Sequence, residues 1–252
     1  AESFQGIFSE AIIEINKEGK IVWTWHAYRH LDPDEYMLNS LSLRRSWTHA
    51  NSIKYIEKDP INNEEAFLVS LRNVGRAVLI KKKDGSIIWK SPELMLSLQH
   101  DATLLSNGNI LVFDNNMFRE PSPSDFRVQF GSRVVEINPR TNEIVWEFNG
   151  GDSGIERAKF IAELTSGAQR LENGNTLIVN GPEGYLFEVT PEKEIVWELV
   201  NPFAAFTTGP WPYNPLFKAR RYSEKEINWP EKLDPSLPEL PLICNNVKNF
   251  IN

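Results

Sequence analysis

The chain has 252 residues, with 27 lysines and arginines against 34 aspartates and glutamates and a formal net charge of −7. This acidic balance, with a pI near 5.3, argues against nucleic acid or an anionic membrane as the main partner. Hydrophobic residues at 41% and charged residues at 24% describe an ordinary globular protein, long enough for one large β domain or two small ones.

From the N-terminus onward, one pattern recurs four times: a strand, a polar turn, and a strand ending in tryptophan. The units are Ala11–Ile15 to Lys20–Trp23, Ala77–Ile80 to Ser86–Trp89, Arg133–Ile137 to Glu143–Trp146, and Tyr185–Val189 to Glu194–Trp197. β-branched residues alternating around such turns read as hairpins. The tryptophans are spaced 66, 57 and 51 residues apart, which suits four-stranded propeller blades with long loops. At one repeat per blade, these tryptophans read as packing between blades rather than as substrate contacts.

A second pattern precedes the first in each unit. Gln99–Asn115 holds two apolar runs around Asn107-Gly108, the strongest short-range hairpin signal. Ser166–Val179 repeats it, and Trp47–Tyr55 followed by Ala66–Ser70 is a looser copy. Together they predict an all-β chain, a β-propeller of four-stranded antiparallel blades over residues 1–222. About four blades are visible, the first represented by its last two strands alone. A Pro-punctuated tail over 223–252 is expected to pack on the propeller, and the given sequence is expected to lack upstream blades.

Aligning the repeats puts His49, His100 and Ser166 at one position early in the innermost strand, where equivalent residues converge on the propeller axis. Two of only four histidines then face one funnel. Asp101, next in the strand after His100, is expected to point away from it. No Gly-rich phosphate loop, zinc spacing or Ser-His-Asp order is present. Cys244 is the one cysteine, so no intrachain disulfide forms and the redox compartment stays open. No membrane span and no signal peptide are read in the given chain.

The ordered set Trp47-Thr48-His49-Ala50-Asn51, Ser70-Leu71-Arg72, Gln99-His100, Phe113-Asp114-Asn115 and Ser132-Arg133-Val134-Val135-Glu136 resembles the aryl-sulfate sulfotransferase family. The Leu-x-Asn-Gly-Asn turns and Ile-Val-Trp-Glu strand ends share in the resemblance, which runs from about Glu10 to Tyr222. It implies a six-bladed propeller that moves a sulfuryl group from an aryl sulfate to a phenol by ping-pong through a sulfated histidine. It also implies no cofactor or nucleotide donor, and a periplasmic or extracellular location.

Carried over, the nucleophile falls on His100, the neighbouring funnel residues on His49 and Asn51, and the sulfate-holding arginine on Arg72. A further family histidine lies upstream of this chain's start, and His30 is the local residue offered for its role. Arg133 is a second arginine within reach of the funnel, a structural salt bridge being the equal alternative. Phe118, Phe126, Phe206 and Trp211 are offered as aryl-binding aromatics. Imidazole suits the chemistry, being nucleophilic when neutral and a competent leaving group from sulfur. A guanidinium fork meets sulfuryl oxygens bidentately, and Asn51 is expected to donate to the same oxygens. A second histidine exchanges the phenol proton.

Two rivals stand beside this enzyme reading. One is a catalytically silent propeller serving as a binding or structural module, whether a homo-oligomer or part of a larger assembly. The other is a metal site on His49 and His100, for which the ligand set is thin.

Overall fold

A computed structural model describes residues 6–39, 42, 45–117, 131–153, 160–202, 216–223 and 226–227. Phe118, Phe126, Phe206, Trp211, Cys244 and nearly all of the tail expected over 223–252 lie outside the described residues.

The alternating apolar runs pair as expected, each strand hydrogen-bonding its successor within the same blade. Blade one holds β1 (Ala11–Ile15) and β2 (Ile21–His26). Blade two is β3 (Ala50–Ile56), β4 (Ala66–Leu71), β5 (Arg76–Lys81) and β6 (Ile87–Lys90). Blade three is β7 (His100–Leu104), β8 (Ile110–Asp114), β9 (Arg133–Asn138) and β10 (Glu143–Asn149). Blade four is β11 (Gly167–Arg170), β12 (Thr176–Asn180), β13 (Tyr185–Val189) and β14 (Ile195–Val200). Repeated four-stranded antiparallel meanders of this kind make the protein an all-β propeller.

The register explains the tryptophan repeat. In all four sheets the ladder slips beside the tryptophan, at Glu14/Ile15, Leu79/Ile80, Ile144/Trp146 and Glu188/Val189. A bulge re-aims the side chain it carries, and here the indoles reach the neighbouring blade. Trp89 Nε1–H donates to Asn142 Oδ1 at 2.8 Å and Trp146 Nε1–H to the Pro191 carbonyl at 3.0 Å. In blade one the corresponding bond comes from Trp25, to the Gly85 carbonyl at 3.0 Å, while Trp23 packs on Phe67. The apolar core is therefore divided into three clusters, each lying between consecutive blades.

The Asn-Gly-Asn turns have a packing role as well as a φ requirement. Asn107 and Asn109 both donate to Glu136 Oε1, at 2.9 and 2.7 Å. Arg170 of the next blade reaches Glu136 Oε2 at 2.7 Å and lies 4.7 Å over the Trp146 ring. The arrangement recurs one blade on. Asn175 donates to Glu188 Oε1, Arg221 donates to Glu188 Oε2, and the Arg221 guanidinium lies 4.9 Å over Trp197. Gln169 of β11 and the Arg221 backbone exchange two hydrogen bonds at 2.8 Å. The stretch 216–222 thus lies against blade four as β11 lies against blade three.

Candidate active site

The site is assembled at the junction of blades two and three, on segments that the local sequence forces into turns. After β4 the chain makes a 3₁₀ turn, Arg72–Val74, that ends on Gly75 at φ 61°. A Cβ there would stand 2.7 Å from the Leu96 carbonyl oxygen, so both the conformation and the close approach require glycine. The turn docks on the segment before β3: Arg72 N–H donates to the His49 carbonyl at 3.2 Å and Asn73 N–H to that of Thr48 at 3.0 Å. The start of β7 is pinned by Gln99, whose buried side-chain amide donates to Ser70 Oγ and to the Leu71 and Arg76 carbonyls.

His100 is 5% exposed, and its hydrogen bonds fix its tautomer. Its Nδ1 lies 2.8 Å from Asn115 Oδ1 and 3.1 Å from the Leu98 carbonyl. The amide of Asn115 cannot be turned around, because its Nδ2 donates to the carbonyls of Ala162 at 2.7 Å and Thr165 at 3.3 Å. Nδ1 therefore faces two acceptors and must carry the proton. The lone pair is left on Nε2. Burial lowers the pKa of His100 to about 4; Asn115 and Leu98 oppose the shift, while the nearby positive charges of Arg72 and His49 add to it. The ring is thus neutral at pH 7, with one nucleophilic nitrogen.

This depression has a sign that can be measured. Below the ordinary value of 6.5 an unfolded chain takes up a proton that the native site refuses until about pH 4. Native stability is therefore expected to fall across that window, by about 3 kcal/mol from this group alone. Urea unfolding at stepped pH checks it, with the slope reduced in His100→Asn.

Arg72 is half-buried, and burial lowers its pKa. Its Nη1 donates to Asn73 Oδ1 at 2.9 Å, and among the described residues no carboxylate lies within ion-pair distance of it. A cation in this state, beside a neutral imidazole, is a ready site for an anion. His49, at φ 49°, has its pKa lowered by burial and by Arg72, with Glu10 pulling the other way. Asn51 Nδ2 donates to the Gln99 carbonyl at 2.8 Å, which uses one of the two hydrogens the sequence assigned to sulfuryl oxygens, and its Oδ1 is buried and unpartnered among the described residues.

The ladders revise the repeat alignment. Lys54, Thr103 and Gln169 face Leu68, Leu111 and Leu177, which in turn face Leu79, Glu136 and Glu188. Two residues on, Ser70, Phe113 and Val179 face Ser52, His100 and Gly167, so these three share a ladder position and His49, which precedes Ala50, does not. The same count makes Arg72 and Asn115 equivalents, so one blade position supplies a cation and its neighbour a tautomer lock. Asn115 had no assigned role in the sequence; this equivalence to Arg72 is the signal that finds it.

Two of the expected residues are engaged elsewhere. Arg133 binds Asp114 Oδ2 through Nε at 2.8 Å, Glu147 Oε2 through Nη1 at 2.9 Å and the Met95 carbonyl through Nη2 at 2.6 Å. Burial alone would lower its pKa, but the two carboxylates outweigh it and hold the pKa above its ordinary value. Its repeat equivalent is Arg76, since Leu71 pairs Arg76 as Asp114 pairs Arg133. His30 stacks on Trp25 at 5.3 Å and lies against Gly85. Gly85 belongs to the β5–β6 turn, separated from the Arg72 turn by the six residues of β5, about 20 Å of strand. The structure does not bring His30 to His100.

Asp101, at φ 52°, turns from His100 and pairs both carboxylate oxygens with Arg220 at 2.8 Å. Gly167 is required beside it, since a Cβ there would lie 2.5 Å from Asp101 Oδ2. Phe217, 55% exposed, meets the His100 ring edge-on at 6.5 Å. Composition gave no reason to prefer it over other aromatics.

The family model for arylsulfotransferases (ASST) matches residues 4–201. The chain belongs to the arylsulfotransferase family. No curated protein matches it. Among solved structures, a protein of unknown function from Bacteroides caccae is 18% identical, with a TM-score of 0.50 over 77% of this chain and 60% of that one, a likeness of fold. The WD40 β-propeller domain of Doa1 is 12% identical, with a TM-score of 0.42 over 74% of this chain and 46% of that one. The arylsulfotransferase match spans β1 to β14 and takes in His49, Arg72, His100 and Asn115 together. No helix among the described residues is long and apolar enough to cross a membrane.

Proposed function

We propose that this arylsulfotransferase-family chain transfers a sulfuryl group from an aryl sulfate to a phenolic acceptor through a sulfated His100. The observation that carries the reading is the buried, neutral His100 with Nδ1–H locked by Asn115 and Leu98, in the field of Arg72, which has no carboxylate partner among the described residues.

In the first half-reaction the Nε2 lone pair forms a bond to sulfur as the S–O(aryl) bond breaks, its electron pair leaving on the phenolate oxygen. The imidazole becomes cationic as it is sulfated, and its Nδ1–H then points a stronger dipole at two fixed carbonyl oxygens. Arg72 receives the charge on the sulfuryl oxygens through its fork of N–H donors. The phenolate oxygen takes the proton from His49 Nε2 and departs as the phenol; an acceptor hydroxyl then returns a proton to His49 as its oxygen takes the sulfur from His100 Nε2. The ring returns to its Nδ1–H tautomer. Phe217 offers an aromatic edge against which a phenyl ring can stack.

A direct test is to mix the protein with an excess of nitrophenyl sulfate and no acceptor, then quench in alkali. Intact-mass measurement is expected to show one added sulfuryl group, and peptide mapping to place it on His100. A burst of nitrophenolate with no adduct, or an adduct elsewhere, would overturn the assignment.

A further inference from the structure

Glu10 stands just before β1, yet its carboxylate closes around the segment that carries His49. Its Oε1 accepts from the His49 backbone N–H at 2.8 Å and from the Ser46 hydroxyl at 3.3 Å, and its Oε2 accepts from the Thr48 hydroxyl. Ser46 Oγ lies 3.3 Å from His49 Nδ1. One assignment of protons satisfies all of these contacts at once. A carboxylate only accepts, so Ser46 directs its single hydrogen to Glu10 and presents a lone pair to the imidazole. His49 Nδ1 must then carry a proton, and Nε2 is the nitrogen that exchanges one.

We propose that Glu10 and Ser46 are positioning residues, a carboxylate–hydroxyl relay that holds His49 as its Nδ1–H tautomer and supports the imidazolium formed when Nε2 takes up a proton. This rests on the sulfuryl-transfer reading, in which His49 exchanges the phenol proton. The balance is simple. As the S–O bond of the donor breaks, the proton on Nε2 passes to the phenolate oxygen; as the acceptor oxygen bonds to sulfur, its proton passes to Nε2. The ionisable groups around His49 are Glu10 from the N-terminal segment, Arg72 from the 3₁₀ turn and His100 from β7. Of these only Glu10 favours the imidazolium, so the relay offsets Arg72. No spacing rule links Glu10 to His49, 39 residues apart.

Leaving groups of different basicity separate this role from a merely structural one. Glu10→Gln keeps an oxygen for the His49 N–H and Ser46 but loses the charge. With unsubstituted phenyl sulfate, whose phenolate needs the proton, kcat is expected to fall about ten-fold with KM little changed. With nitrophenyl sulfate, whose phenolate leaves unaided, the loss is expected to stay within about two-fold. The decline in rate at rising pH is expected to begin at lower pH, since removing an anion lowers the imidazolium pKa. Ser46→Ala should reproduce the leaving-group dependence and Ser46→Thr should restore the wild-type pattern.

Nitrogen-15 NMR of His49 supplies a readout independent of turnover. The wild type is expected to show the Nδ1–H tautomer, with the titration moved to lower pH in Glu10→Gln. An unchanged tautomer and titration in both Glu10→Gln and Ser46→Ala would overturn the relay. Equal losses with both donors would also overturn it, by reducing Glu10 to a structural tether. A shifted His49 titration in a protein that never sulfates His100 would support the relay and remove the sulfuryl-transfer reading instead.

Discussion

His100→Asn is expected to lower the rate of sulfuryl transfer from nitrophenyl sulfate by at least about 10⁴-fold, the scale on which loss of a nucleophile is felt. The loss should fall on kcat, because Arg72 and the walls of the site remain to bind the donor. Asparagine is the informative replacement, since its amide can still meet Asn115 and the Leu98 carbonyl while offering no nitrogen lone pair. Circular dichroism and urea unfolding at pH 7 are expected to show a folded chain, so that the loss reads as chemistry. Retention of a rate within ten-fold of wild type would remove His100 from the reaction. The wild-type acid limb is also informative: with the His100 pKa lowered to about 4 by burial, its own protonation should cut activity only well below the usual histidine range.

Arg72→Gln is expected to cost about 10²–10³-fold in kcat/KM, the scale for removing a preorganised donor from a developing anionic centre. Two physical features set this size. The guanidinium is half-buried, so its field is little screened, and no described carboxylate neutralises it before substrate arrives. Glutamine keeps a hydrogen bond to Asn73 within reach but brings one neutral donor group in place of a charged fork. Arg72→Lys should recover only part of the loss, because an ammonium offers charge without the bidentate geometry. As a second signature, inhibition by inorganic sulfate is expected to weaken in both variants. Equal sulfate inhibition in wild type and Arg72→Gln would place the anion site elsewhere.

Much of this was legible in the chain. The four Trp-ended hairpins and the Asn-Gly-Asn turns give the blades, because turn chemistry and period-two alternation are local properties that a sequence displays directly. Ring position was less legible. Aligning by histidine identity puts His49 opposite His100, but with slips between Ala50 and Ser52 and between His100 and Thr103 the ladder gives that place to Ser52. A bulge adds a residue without a compositional mark, so side-chain matching drifts by the bulge.

The fates of the arginines and of His30 were invisible for a related reason. Arg72 and Arg133 both lie near a β4–β5 or β8–β9 connection, yet among the described residues one has no carboxylate partner and the other is clamped by Asp114 and Glu147. Which cation is neutralised depends on the partner strand, not on the arginine's own neighbours. His30 sits at the wrong end of blade two because the Gly85 turn, 55 residues on, folds against it.

By itself, then, the sequence determined the architecture and offered the nucleophile proposed above: local strand and turn signals repeat by blade, and His100 falls on the inner strand of one of them. Only the tertiary structure decided how that histidine is held. Asn115, Leu98 and Ala162 come together from separate segments to set which nitrogen of His100 is bare. Glu10 reaches the His49 segment across 39 residues. Hydrogen-bond polarity is a property of converging groups, and convergence is what folding adds to a chain.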